Sequence, residues 1–223
     1  MSKILRGERP ASPELIEKMG QRLSLAPANI EKFKAYELER RAGVKALPLS
    51  AERRKYFQLS SDTFEVVSDW RHFTILELMK FEGFVPDPQW ISRVANIGPA
   101  VVRACVERLI RVGILEIAAD GKWRDKSDGF STHILGENYT TSAHQKSQGE
   151  ILGLALEALK AVPIERRDQS SMMMATDAKR ITEAKKRITA FRRELCEFLE
   201  AAPKKTAVYQ LSVSLFPLVE DSK

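Results

Sequence analysis

Between Gly98 and Lys126 the chain reads GPAVVRACVERLIRVGILEIAADGKWRDK, and this stretch restricts the fold more than any other. Pro99 fits the first turn of a helix, where its missing N–H has no partner to lose. Val102, Cys105, Val106, Leu109 and Ile110 then recur at helical spacing. Gly113 ends that helix. Leu115 and Ile117 alternate with polar neighbours, Asp120-Gly121 suits a tight hairpin turn, and Trp123 opens the returning strand. A helix followed at once by a short hairpin leaves few architectures open.

The residues upstream narrow them further. An apolar helix runs through Trp70, Phe73, Leu76 and Met79 and is broken by Gly83 and Pro86. Asp87-Pro88 places an N-cap carboxylate before a proline and starts a short helix with Ile91 and Val94 inward. The turn NIGP leads into the Pro99 helix. Three helices and a hairpin in this order predict a winged-helix unit over residues 59–135. Ahead of it, Ser12-Pro13 starts a helix carrying Leu15, Ile16, Met19 and Leu23, which stops before Ala26-Pro27. A second helix covers Ala28–Arg41 with Ile30, Phe33 and Tyr36 as its apolar side, Gly43 and Pro48 mark a connection, and Ser50–Leu59 holds a short helix.

The last third has a different pattern. An amphipathic helix is expected over residues 142–160, with Ile151, Leu154, Leu156 and Leu159 apolar. DQSSMMMATD, residues 168–177, reads as a strand that buries one or two of Met172, Met173 and Met174 as adaptable filler. A long helix follows over Ala178–Ala201, with Ile181, Ala184, Ile188, Phe191, Leu195 and Leu199 on one side. AVYQLSVSLFPL, residues 207–218, sets Tyr209, Leu211, Val213 and Leu215 on one face of a half-buried strand. Two strands alone are marginal in water. A second subunit that extends the sheet or pairs the long helices would cure this, so a homodimer is expected, with Tyr209, Leu211, Val213, Leu215, Ile188 and Phe191 as its contact residues. The predicted fold class is α+β and mostly helical. It comprises a partial helix-turn-helix with linker helices (1–58), a winged helix (59–135) and a C-terminal αβαβ unit with a small sheet (136–223), which dimerises and could sense an effector.

Composition removes several function classes. With 43% hydrophobic and 30% charged residues the chain is ordinary for a soluble globular protein. It has no apolar run of about 20 residues and no signal-peptide core. Cys105 and Cys196 lie in apolar helical patterns without a CxxC context, as expected of buried thiols in a reducing cytoplasm. His72, His133 and His144 have no neighbours at metal-ligand spacing, and neither a phosphate-cradling glycine loop nor an HExxH pattern occurs. No metal, no cofactor and no enzymatic activity are expected. Charge is more informative. Residues 1–58 carry 13 Lys/Arg against 7 Asp/Glu, whereas residues 59–223 carry 23 of each, so the whole net charge of +6 lies in the first quarter. Such asymmetry suits an end that faces nucleic acid on a neutral body, and equally a solvated basic helix pair.

SKILRGERPASPELIEKMGQRLSL, residues 2–25, resembles the third and fourth helices of Cro/repressor-type helix-turn-helix domains, with Ser2, Ile4, Leu5, Gly7, Arg9, Ser12 and Leu15 matching. The remainder, especially residues 68–78, GPAVVRACVERLIRVGIL, RRDQSSMMMATD and VYQLSVSLFPL, resembles an uncharacterised bacterial family abundant in predatory bacteria. That family joins a Cro/repressor-type domain to a C-terminal domain of unknown function. Its members are regarded as transcription regulators, so the resemblance implies that role and double-stranded DNA as partner. The pattern's two preceding helices and the first turn of its reading helix are missing here. The expectation is therefore either a shortened version of a longer protein or one without base reading by this route. What is left, Ser2, Lys3 and Arg6, suits phosphate contact. With Arg9, Arg103 of the Pro99 helix and Lys122, Arg124 and Lys126 of the hairpin, these are the expected DNA-binding residues. The leading turn of the Pro99 helix is small and apolar, poor for reading bases and good for packing on protein. It supports an alternative, a protein-interaction adaptor that uses the winged helix and the C-terminal sheet.

Overall fold

The computed structural model describes residues 11–22, 25, 27–42, 51–127 and 140–219. They contain eight α-helices and one hairpin: α1 (Pro13–Arg22), α2 (Pro27–Ala42), α3 (Ala51–Ser68), α4 (Trp70–Leu78), α5 (Pro88–Ala95), α6 (Pro99–Arg111), β1 (Leu115–Ile117), β2 (Trp123–Asp125), α7 (Thr140–Ala161) and α8 (Ile181–Glu200). The chain is thus mostly helical with a two-stranded antiparallel sheet, and it divides into two units within α7, after Glu150.

The punctuation acts as its chemistry requires. Ser12 Oγ accepts from the N–H of Leu15, and Asp87 accepts from the N–H of Trp90 at 2.9 Å, with Pro88 at the first turn of α5. Asn96 closes α5 in the left-handed region at φ 53°, which asparagine tolerates better than most residues. The hairpin pairs Leu115 with Asp125, Glu116 with Arg124 and Ile117 with Trp123. Its turn uses Gly121 at φ 80°, and Asp120 accepts from the N–H of Lys122.

The core of the first unit gathers α3 to α6 and β1. Val66, Ile75, Leu76, Leu78, Ile91, Ile97, Val102, Cys105, Val106, Leu109 and Leu115 are buried together. Phe84 meets Trp90 of α5 and Trp123 of β2 edge-on, with ring centroids 5.6 and 5.8 Å apart, and so ties the hairpin to the helices. The N-terminal half of α7 adds Ala143 to Phe64 and Val67 of α3. Lys146 there binds Glu65 and Ser68.

Several expectations need correction. The helix through Trp70 is α4, which follows α3 after the single residue Asp69. α3 runs from Ala51 to Ser68, far past the short helix expected at 50–59, and Asp69 breaks the path in an extended conformation (φ −117°) by accepting from the N–H of Arg71. Among the described side chains of α2 only Ile30 is buried; Phe33 and Tyr36 are exposed. Val94 points to solvent, since α5 is eight residues long and buries only Ile91. Leu23's side chain and Gly43 and Pro48 lie outside the described residues.

The largest correction is in the second unit. No strand forms among its described residues, so the expected αβαβ sheet is absent there, and residues 168–177 and 207–218 enter no strand ladder. Met172, Met173 and Met174 are exposed, as are Tyr209, Leu211, Val213 and Leu215. Alternation shows which face of a strand would be apolar but supplies no backbone partner, and a strand without one leaves its N–H and C=O groups to water.

Candidate nucleic-acid interface

α5, the turn at Asn96–Gly98, α6 and the hairpin follow one another in the chain, each packed on the next. α6 buries Val102, Cys105, Val106 and Leu109 and turns Pro99, Ala100, Val101, Arg103, Glu107 and Ile110 outward. Arg103 is exposed and belongs to no ion pair of the described residues. Arg108 and Arg111 turn back to the protein. Asp62 of α3 is 3% exposed and accepts from Arg111 Nε at 2.7 Å and Nη2 at 3.0 Å, while Arg108 lies 3.9 Å away. This bidentate contact holds α6 against α3 and raises the guanidinium's affinity for its proton.

The hairpin cations are at the surface, with side-chain exposures of 79% for Lys122, 61% for Arg124 and 56% for Lys126. Each has an acidic neighbour: Lys122 meets Asp120 at 3.3 Å, and Arg124 and Lys126 flank Glu116 at 4.0 and 3.6 Å. Exposed pairs of this kind are worth ~0–1 kcal/mol, so a phosphate can displace the carboxylate. The structure therefore brings Arg124 and Lys126 together over one acid and sets Lys122 at the turn. Ser2, Lys3, Arg6 and Arg9 lie outside the described residues. Among the expected dimerisation residues, Ile188 is half-buried, and Phe191, Tyr209, Leu211, Val213 and Leu215 are exposed.

Sequence spacing gave His72 no metal-ligating neighbour, yet folding brings donor atoms of Asp69, His72 and Cys105 within 4.8 Å of one another. Cys105 sits on α6, so only the packing of α4 on α6 reveals the group. Three donors could begin a zinc site, but two are committed otherwise. The Asp69 carboxylate caps α4 and binds Arg71 at 3.0 Å. Burial pushes the Cys105 thiol up to about 11, which keeps it protonated. His72 is fully buried, its Nδ1 lies 3.1 Å from the Asp69 carbonyl, and its Nε2 has no hydrogen-bond partner among the described residues. The arrangement is a polar knot at the junction of α4 and α6.

His72 makes the stability depend on pH. Burial lowers its pKa below the ordinary 6.5, helped by Arg108 and opposed by the Asp69 carbonyl and by the Asp69 and Glu65 carboxylates. Just below that value the unfolded chain binds the proton and the folded one does not. Stability is complete above pH 6.5 and falls as pH drops through it toward the lowered folded value. His72→Gln should flatten this slope, which reaches at most ~1.4 kcal/mol per pH unit. Urea unfolding of both proteins at several pH values from about 5 to 7 checks this; identical slopes would contradict it.

Among the described residues no helix is long and apolar enough to cross a membrane. A family model described as Domain of unknown function (DUF4423) matches residues 50–218. This supports the resemblance to an uncharacterised family with such a domain, and the Cro/repressor-like residues 2–25 fall outside the match. No curated protein and no solved structure matches the chain.

Proposed function

We propose that this chain, which belongs to the DUF4423 family, is a dimeric cytoplasmic DNA-binding transcription regulator and not an enzyme. The observation that carries the reading is the order α4–α5–α6–β1–β2, with an outward Arg103 on α6 and three exposed cations on the hairpin that follows it. In a winged helix α6 enters the major groove and the hairpin lies along the backbone. Lys122, Arg124 and Lys126 would then contact phosphates, and Lys3, Arg6 and Arg9 would add to them. Arg103 is the one α6 cation that faces away from the protein among the described residues, which favours backbone contact over extensive base reading. Dimerisation through the second unit would set two such surfaces at a fixed spacing, and the apolar residues exposed there support it.

A second reading, a protein-interaction adaptor, is favoured by one observation. Val101 in the leading turn of α6, Val94 of α5 and Ile117 of β1 are all exposed apolar residues on this unit. Fluorescence anisotropy on a random duplex and on the gene's own upstream DNA, across a salt series, separates the two. Binding that weakens steeply with salt supports the regulator, and a preference for the upstream duplex supports sequence reading. No binding even at low salt would overturn it in favour of the adaptor.

A further inference from the structure

Of the 20 residues of α8 none is buried. Helices in water draw most of their stability from packing of an apolar face, and among the described residues the second unit forms no buried cluster: Leu152, Leu156, Ile164, Phe191, Phe198 and Leu199 are exposed, and Ile181, Ala184, Ile188 and Leu195 of α8 are half-buried. Its apolar residues follow a heptad pattern, with Ile181, Ile188 and Leu195 at one seam position and Ala184, Phe191 and Phe198 at the other. Its charges run against the helix dipole. Lys179, Arg180, Lys185, Lys186 and Arg187 crowd the N-terminal end, where only Glu183 faces them and pairs with Arg187, while Glu194, Glu197 and Glu200 follow Arg192 and Arg193 at the C-terminal end, whose carbonyls Lys205 caps from beyond the helix. A helix arranged this way is at odds with itself and complementary to its own reverse.

Resting on the dimeric reading above, we infer that α8 pairs antiparallel with α8 of a second copy of this chain. In that orientation the basic end of one helix meets the acidic end of the other, with Arg187 beside Glu194 of the second copy. One register places the seam positions in three kinds of layer: Ile181 with Phe198, Ala184 with Leu195 and Ile188 with Phe191, each small or branched residue against a larger one. A parallel pairing would set basic end on basic end and acid on acid. A different protein would need to supply this same reversed charge order and the same spacing, which the chain already carries.

The test uses the full chain. Light scattering of the unmodified protein should give twice the 25.2 kDa of one chain; a monomer would overturn the dimeric reading itself. In a Cys196→Ser background, the double variant Ala184→Cys/Leu195→Cys should form a covalent dimer in most chains on mild oxidation. The two sites lie about 16 Å apart along one helix, too far for an internal bridge. The single variant Ala184→Cys should stay uncrosslinked. A dimer by mass with no crosslink in the double variant, or in Ile188→Cys/Phe191→Cys as a second pair, would overturn the pairing while leaving dimerisation intact. Crosslinking of the single Ala184→Cys would show a parallel arrangement and overturn it as well. Circular dichroism of each variant confirms that the helix is retained.

Discussion

Lys122→Glu with Arg124→Glu is expected to weaken duplex binding on the order of 100-fold at ~0.1 M salt and to lower the salt slope by about two, with the circular dichroism unchanged. Both side chains are mostly in water, and neither contributes to the core that holds the hairpin, which rests on Leu115 and on Trp123 against Phe84. Their present partners, Asp120 and Glu116, are exposed carboxylates at 3.3 and 4.0 Å, so the fold loses little when these pairs are reversed. The same geometry gives the opposite expectation for the acids. Glu116→Gln frees Arg124 and Lys126 at once and should raise duplex affinity several-fold, read in the same anisotropy titration. Unchanged affinity in both variants, with the fold intact, would remove the hairpin from the mechanism and leave the apolar turn of α6 as the functional surface.

What could be read in advance followed how local the determining chemistry is. Ser12-Pro13, Asp87-Pro88, Gly98-Pro99 and Asp120-Gly121 each set a boundary within a few residues, and each boundary is where the sequence placed it. Asp69 was missed because it carries no proline to announce it, and an apolar pattern runs across it from Val66 to Phe73. The pairings of Asp62 with Arg111 and of His72 with Cys105 link helices that are distant in sequence, where spacing says nothing. A weak signal did exist for the first: Asp62 stands one helical turn before Val66, on the face that is buried. The segments 168–177 and 207–218 show the limit of periodicity. Alternation is a property of one segment, whereas a strand is a property of two.

Arg111→Ala is expected to cost about 2–3 kcal/mol of stability, although the side chain it removes is partly exposed. The reason lies in Asp62, whose side chain is 4% exposed and loses the two N–H donors at 2.7 and 3.0 Å. Arg108, at 3.9 Å, is close enough to soften the loss but holds no hydrogen bond of that quality. A buried carboxylate that loses two close donors is the costly species, so removing it as well should help. Asp62→Leu placed on Arg111→Ala should restore at least half of the loss, because an apolar side chain of similar size needs no donor between α3 and α6. Urea midpoints of the two single variants and the double measure this coupling directly. Additive effects would mean that Asp62 is satisfied by other groups and that α6 is held by its apolar face alone. The result also bears on function. If Arg111 is committed to Asp62, its removal should alter duplex affinity only through the fold, so that at temperatures where the variant stays folded the anisotropy curve overlays that of the unmodified chain and Arg103 and the hairpin cations account for binding.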